Sequence, residues 1–229
     1  MNVCLRDSNL LIILYLNEYS KETFIEYGVS EDRLLKVGPL AANLDTYTPT
    51  DHSDERFVVV SVANMGELKD IHYLIEAWKQ LNIPDAQLIL CGTMNDAVAQ
   101  TVGSTINERD DIEHVGYVDD PSEYLKQASA LVHPSLSESF SKAVAEGMAS
   151  SLPVIITEHG PREYVDEAGF VIPIRNPDAI ADRLRYLYDH PDEARQMGKR
   201  GREIVEANTW DNFSERVKEA HEEILSRES

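Results

Sequence analysis

The chain has 229 residues, 42% of them hydrophobic, and carries 41 Asp and Glu against 21 Lys and Arg, a formal net charge of -20. A surface this acidic repels polyanions, which argues against nucleic acid as a partner and against direct docking on anionic lipid. No apolar run is long enough to span a bilayer, and Met1 is not followed by a basic region with a cleavage site, so neither membrane insertion nor export is expected and the location read is cytoplasmic.

In chain order, Leu10–Leu16 reads as a strand, Ser20–Tyr27 as a helix ending at Gly28, and Leu34–Val37 as a further strand. Pro49–Glu55 is polar and turn-rich, the composition of a linker. From Phe57 onward short apolar runs alternate with helical patterns, which predicts an α/β fold with a doubly wound parallel sheet and helices on both faces. Strands are expected at Phe57–Val62, Ala86–Cys91, Ile112–Val118, Ala130–His133, Pro153–Thr157 and Gly169–Ile174. Helices are expected between them at Lys69–Leu81, Asn95–Val102, Pro121–Ala128, Ser141–Ser150 and Pro161–Asp166. In the first of these, Ile71, Leu74, Ile75 and Trp78 recur at amphipathic spacing and mark a core face. The chain closes with helical stretches at Pro177–His190, Pro191–Ala207 and Trp210–Ser226, the first two opened by a proline where a helix tolerates one.

The chemistry gathers where one strand hands over to a helix. Ala130–His133 leads into Pro134-Ser135-Leu136-Ser137-Glu138-Ser139-Phe140-Ser141, then Lys142-Ala143-Val144-Ala145-Glu146. Glu138 and Glu146, eight positions apart, bracket a small-residue turn and the opening of a helix. Serines that cap a helix leave free backbone amides and the positive dipole end facing an anion. Helical side chains lean toward the N-terminus, so the Glu146 carboxylate rises toward the same place. A ligand with phosphates at the helix end and hydroxyls at its edges suits such a site, and a nucleotide sugar is one. Cys4 and Cys91 form no disulfide framework, and nothing has metal-ligand spacing. The stretch Ser61–Asp70 lacks a G-x-G-x-x-G fingerprint, so nicotinamide chemistry is not expected. His133 and His159 are candidate bases, but His133 reads rather as the end of a strand, and His159 has no legible partner.

These residues resemble the donor-site signature of retaining GT-B glycosyltransferases, the "glycosyl transferases group 1" family, family 4. Its usual form is P-S-x-x-E-G-F-G-x-x-x-x-E-A-M-A-x-G-x-P-V-I. A second family stretch, V-G-R-L-x-x-x-K-G, matches Val62–Asp70 with Lys69 on the lysine, Asn64 at the arginine, and Ala63 and Asp70 at the glycines. Gly116-Tyr117-Val118 is similar to the family's G-x-V loop at the nucleobase, and Thr157–Glu163 to its G-G-x-P-E loop near the donor sugar.

The resemblance implies a Rossmann-like GT-B C-terminal domain over residues 57–208, preceded by a remnant of the N-terminal domain and crossover (1–48) and a linker (49–56), and followed by a C-terminal helix (209–229). It implies hexosyl-type transfer with retention from a UDP- or GDP-sugar, with no metal and no separate cofactor. Glu138 and Lys69 would be catalytic; Asn64, Lys69, Val118, Glu138, Ser139, Phe140, Ser141, Lys142 and Glu146 would bind the donor. Partners would be the nucleotide sugar and either a second polypeptide or an N-terminal acceptor domain outside the chain. Ser139 and Ser141 stand at signature glycines, so a strained turn is expected if either takes a positive φ. Lys142 is expected to supply the charge that Asn64 lacks. Alternatives are a non-catalytic subunit that binds a nucleotide sugar and supports a partner, and a nucleotide-sugar epimerase on the same fold.

Overall fold

The computed structural model describes residues 12–39, 41–49 and 56–227. A small N-terminal unit comes first: strand β1 (Ile13–Tyr15), helix α1 (Glu18–Glu26), a 3₁₀ turn at Glu31–Arg33 and strand β2 (Leu34–Lys36), with β1 and β2 paired in parallel. Tyr15, Val29 and Leu34 form its core, with Ile13 and Phe24 packed against them. Asn17 starts α1, its side chain accepting from Ser20 N at 2.8 Å and satisfying an amide that the helix itself leaves free. Of the strand expected at Leu10–Leu16, the first two residues lie outside the described residues, as do Cys4 and linker residues 50–55.

Among the described residues the main sheet has six parallel strands: β3 (Val58–Val62), β4 (Gln87–Cys91), β5 (Ile112–Gly116), β6 (Ala130–His133), β7 (Val154–Thr157) and β8 (Gly169–Ile172). Their spatial order is β5-β4-β3-β6-β7-β8. Alternate side chains point to opposite faces, so Val59, Leu88 and Val132 feed one core while Val58, Val60 and Leu131 feed the other. Helices α2 (Ile71–Gln80), α3 (Asp96–Glu108) and α6 (Pro177–Asp189) cover the first face through Trp78, Val102 and Leu184. Helices α4 (Ser122–Lys126), α5 (Lys142–Ala149) and α7 (Pro191–Glu206) cover the second through Leu125, Val144, Met148 and Val205. Burial on both faces is why the strand sequences are nearly continuous apolar runs.

The last helix, α8 (Trp210–Arg227), returns to the N-terminal unit, where Arg216 donates to Val37 O at 3.1 Å and Pro39 O at 2.9 Å. Arg202 of α7 donates to both Tyr47 O and Ala149 O at 2.7 Å, tying the crossover segment to the end of α5. The strand order reverses direction between β3 and β6, and the crevice beyond the carboxyl ends of strands at such a reversal is where open parallel sheets bind ligands.

Several expected elements differ in their bounds from those seen, four of them for a legible reason. Lys69 does not open α2; it closes a 3₁₀ turn at Glu67–Lys69, because Asp70 is left-handed at φ 47° and the α-helix begins only after it. The helix expected at Asn95–Val102 continues to Glu108, because Ile106 carries on the apolar stripe of Val98 and Val102. The strand from Ile112 stops at Gly116, whose φ of 75° ends the extended run before Val118. Pro161–Asp166 holds only a 3₁₀ turn at Arg162–Tyr164, its side chains being drawn to the N-terminal unit instead.

Candidate functional site

Asn64 and Lys69 follow β3, Gly92 follows β4, Tyr117 and Val118 follow β5, and His133 ends β6. With Glu138, Phe140, Ser141, Lys142, Ala143 and Glu146 they line a cleft of about 400 Å³. The fold thus brings together every expected site residue but Ser139, which is exposed and does not line the cleft. At Gly92 a Cβ would lie 1.8 Å from Ala63 O, and its φ is 128°, so glycine alone lets the two loops cross behind the cleft.

Lys69 reaches Glu138 because the loops after β3 and β6 are laced together. Leu68 O accepts from the Ser135 hydroxyl at 3.0 Å and from Leu136 N at 2.8 Å, and Thr157 donates to Ser135 O at 2.5 Å. The Lys69 ammonium pairs with Glu138 Oε2, and His133 Nε2 lies 3.0 Å from the same oxygen. Burial works to raise the Glu138 carboxyl, but hydrogen bonds from His133 and Lys69 outweigh it and hold the group below its ordinary value. Facing a carboxylate, Nε2 is assigned as the protonated nitrogen, which leaves His133 Nδ1 buried without a partner. His133 does end a strand, as its position indicated, and it also belongs to the site. The available signal was a histidine at a strand's carboxyl end directly before the signature.

The main chain of Glu138 is equally constrained. Its N–H donates to His159 O at 2.9 Å, and its carbonyl accepts from the Asn17 side-chain amide at 3.0 Å. Nothing in the sequence pointed to Asn17, which lies 121 positions away. His159 donates through Nδ1 to Leu136 O, 3.0 Å away, and its ring stacks on Tyr19 at 4.7 Å and 13°.

Glu146 sits inside α5 and is 3% exposed. Lys142 Nζ is 3.0 Å from its Oε1, yet that oxygen has no aligned hydrogen bond, so the contact is one of charge alone. From behind, the crossover residue Tyr47 meets Glu146; burial first, then hydrogen bonding to Glu146 and to Asp120, pushes its phenol well above the ordinary value. Ser141 caps α5, accepting from Val144 N at 3.4 Å with φ -95°. Ser141, Lys142 and Ala143 all line the cleft, and the first amides of a helix have no partner within it.

The strain expected at the signature serines is absent. Among the described residues the non-glycines with positive φ are Asp70, Asp85, Ser151 and Arg175. Asp70 and Ser151 stand where the resembling patterns have glycine, so the left-handed backbone falls there and not at Ser139 or Ser141. Cys91 also lines the cleft, but burial pushes its thiol up to about 12, so it is neutral and no nucleophile. In the loop after β7, Glu163 Oε1 accepts from Glu18 N at 2.9 Å and pairs with Lys36, while Arg162 pairs with Glu22. Among the described residues no group of three His, Cys, Asp or Glu could hold a metal ion, and no helix is long and apolar enough to cross a membrane.

A parallel sheet in this strand order with helices on both faces is a Rossmann-like doubly wound fold, the form that GT-B glycosyltransferases use, with its cleft at the reversal point. The chain belongs to the family Glycosyl transferases group 1, whose model matches residues 48–204. It is 30% identical over 184 residues to EpsD of Bacillus subtilis strain 168, covering 78% of this chain and 48% of EpsD. It is 28% identical over 194 residues to the D-rhamnosyltransferase WbpZ of Pseudomonas aeruginosa, covering 80% and 49%. The chain therefore spans about half the length of these curated relatives. Among solved structures, HepE of Anabaena in complex with UDP-glucose superposes with a TM-score of 0.83 at 15% identity, over 93% of this chain and 64% of that one. Sucrose-phosphate synthase of Thermosynechococcus elongatus gives 0.82 at 24% identity, over 94% and 59%.

Proposed function

We propose that the chain is the donor-binding half of a retaining glycosyltransferase, taking a sugar from a UDP- or GDP-sugar and passing it to an acceptor hydroxyl. One observation carries this reading: Glu146, with a buried oxygen that has no aligned hydrogen bond, lines the same cleft as the opening turn of α5 and Lys69. That juxtaposition supplies a hydroxyl acceptor beside an anion site, and a nucleoside diphosphate presents a ribose next to phosphates in just that way. Glu146 takes the ribose hydroxyls, and the amides around Phe140 and Ser141, with Lys69, take the diphosphate. Lys142, at the helix start where a cation opposes the dipole, adds charge at the phosphates. Glu138 takes hydroxyls of the sugar. In the transfer the anomeric C–O bond breaks toward the phosphate, which leaves with the electron pair. The acceptor oxygen bonds to the same face, and its proton passes to the departing phosphate oxygen. Lys69 stabilises the charge that develops there.

Titration calorimetry with UDP, GDP, UDP-glucose and GDP-mannose tests the reading. One nucleotide series is expected to bind and to be weakened by Lys69→Met; no binding of any of the four overturns it. A second reading, a subunit that binds the donor without turnover, is favoured by Asn64. It replaces the arginine of the resembling pattern, and its Oδ1 lies 3.1 Å from the Thr93 hydroxyl that donates to it. Donor binding without transfer, even when an N-terminal half of a relative is added, would establish that second reading.

A further inference from the structure

On the donor reading above, we infer that Asn17 is a positioning residue: through it the N-terminal unit holds Glu138 at the donor sugar. Asn17 is fully buried, and both ends of its side chain are in use. Oδ1 accepts from Ser20 N at 2.8 Å and starts α1, while Nδ2 donates to Glu138 O at 3.0 Å. The other main-chain group of Glu138, its N–H, is held by His159 O at 2.9 Å. His159 is in turn held from the same helix, by the stack with Tyr19. The carbonyl of Glu138 is thus held directly by the first residues of α1, and its N–H by a residue whose ring packs on the same helix.

The consequence is mechanical. Glu138 lies on a partly exposed turn between β6 and α5, whose backbone has no ladder or helix bonds and depends on single hydrogen bonds from neighbouring loops for its position. Its carboxylate must nevertheless meet Lys69 and His133 at one oxygen. A small rotation of the turn separates these groups. The Asn17 amide fixes that rotation, and it makes the seat of the N-terminal unit and the pose of Glu138 a single variable. Movement of β1 and α1 against the main sheet therefore reaches the sugar end of the cleft first. The phosphate end has an anchor of its own in the first turn of α5, which Ser141 caps.

Two substitutions separate this role from helix capping. Asn17→Asp keeps an oxygen for Ser20 N and caps as well as asparagine, but has no N–H for Glu138 O. Asn17→Ser keeps a capping hydroxyl without charge and is too short to reach. Calorimetry on the whole chain would compare UDP with UDP-glucose, and GDP with GDP-mannose, for wild type and both variants, alongside thermal melting. Expected in both variants is a loss of about tenfold in affinity for the sugar nucleotide, with affinity for the free diphosphate within about twofold. Equal losses for diphosphate and sugar nucleotide, or no loss in a variant that melts with wild type, overturn the inference while leaving the donor reading intact. Wild-type protein that binds none of the four probes removes the donor reading, and this inference with it.

Discussion

The two ends of the cleft are built from one stretch of sequence and are finished differently. At the Glu138 end the side chain, the amide and the carbonyl all have protein partners: Lys69, His133, His159 and Asn17. At the Glu146 end a carboxylate 3% exposed has an oxygen without an aligned hydrogen bond, next to the opening turn of a helix. The first end is held in shape before any ligand arrives. The second has the Lys142 charge beside it but no aligned hydrogen bond at that oxygen, which leaves acceptor capacity for a ligand. The difference locates specificity and affinity in different places: geometry is fixed at the sugar, and binding free energy is gained at the ribose and phosphates.

Perturbing each end should break that contrast in its own way. Lys69→Met removes the cation shared by the Glu138 cluster and the phosphate site, and is expected to lower donor affinity about 100-fold, as loss of a charged hydrogen bond does. Calorimetry reads this, and a drop below about fivefold would mean that the Glu138 ion pair, not a phosphate, is the lysine's business. Glu146→Gln should weaken the free diphosphate about tenfold while the melting temperature holds or rises, because a buried charge is removed. A variant that loses stability and keeps affinity would show Glu146 to be structural.

The pH dependence separates the ends further. The Glu138 carboxyl is held below its ordinary value of 4.5 when folded, so it contributes stability that is fully present above that value and lost as pH falls through the folded pKa. Urea midpoints from about pH 3 to 6 should therefore fall more steeply for wild type than for Glu138→Gln. Parallel curves would show that the ion pair and the histidine contribute nothing net. The smallest effect belongs to the far end of α5. Ser151 is left-handed at φ 59°, and Ser151→Gly should add about 1 kcal/mol and raise the melting temperature by about 3 °C without touching ligand affinity. A lower melting temperature would mean that the serine side chain has a bond worth more than the strain. Separately, with a net charge of -20, the wild-type melting temperature is expected to rise in molar salt, where self-repulsion is screened.

Much of the sheet was legible because its central strands are buried on both faces and their residues, as in Val58–Val62 and Val154–Thr157, are almost all apolar, whereas the edge strand Ile112–Gly116 exposes Glu113 and His114. Boundaries were harder where one backbone angle decides them. Gly116 announces its turn, but nothing in an aspartate announces that Asp70 will be left-handed and hold back α2. The strain expected at Ser139 and Ser141 fell instead at Asp70 and Ser151, because a glycine in a family pattern marks a position without saying whether it needs a positive φ or a close approach. Glu138 and Glu146 were readable as carboxylates flanking a helix start, and Lys69 only through its place in the family pattern. His133 was readable as a strand end or a candidate base, but not as a partner of Glu138.

By itself the sequence determined the repeating alternation of strand and helix, the acidic surface and the helix start flanked by carboxylates, because these depend on composition and on spacing within a single element. Only the tertiary structure decided that Lys69 and His133 converge on one Glu138 oxygen, that Tyr47 stands behind Glu146, and that Asn17 holds a turn 121 positions away. Such contacts join segments whose separation along the chain carries no periodic signal, so they come into being only when the sheet order sets which loops lie side by side.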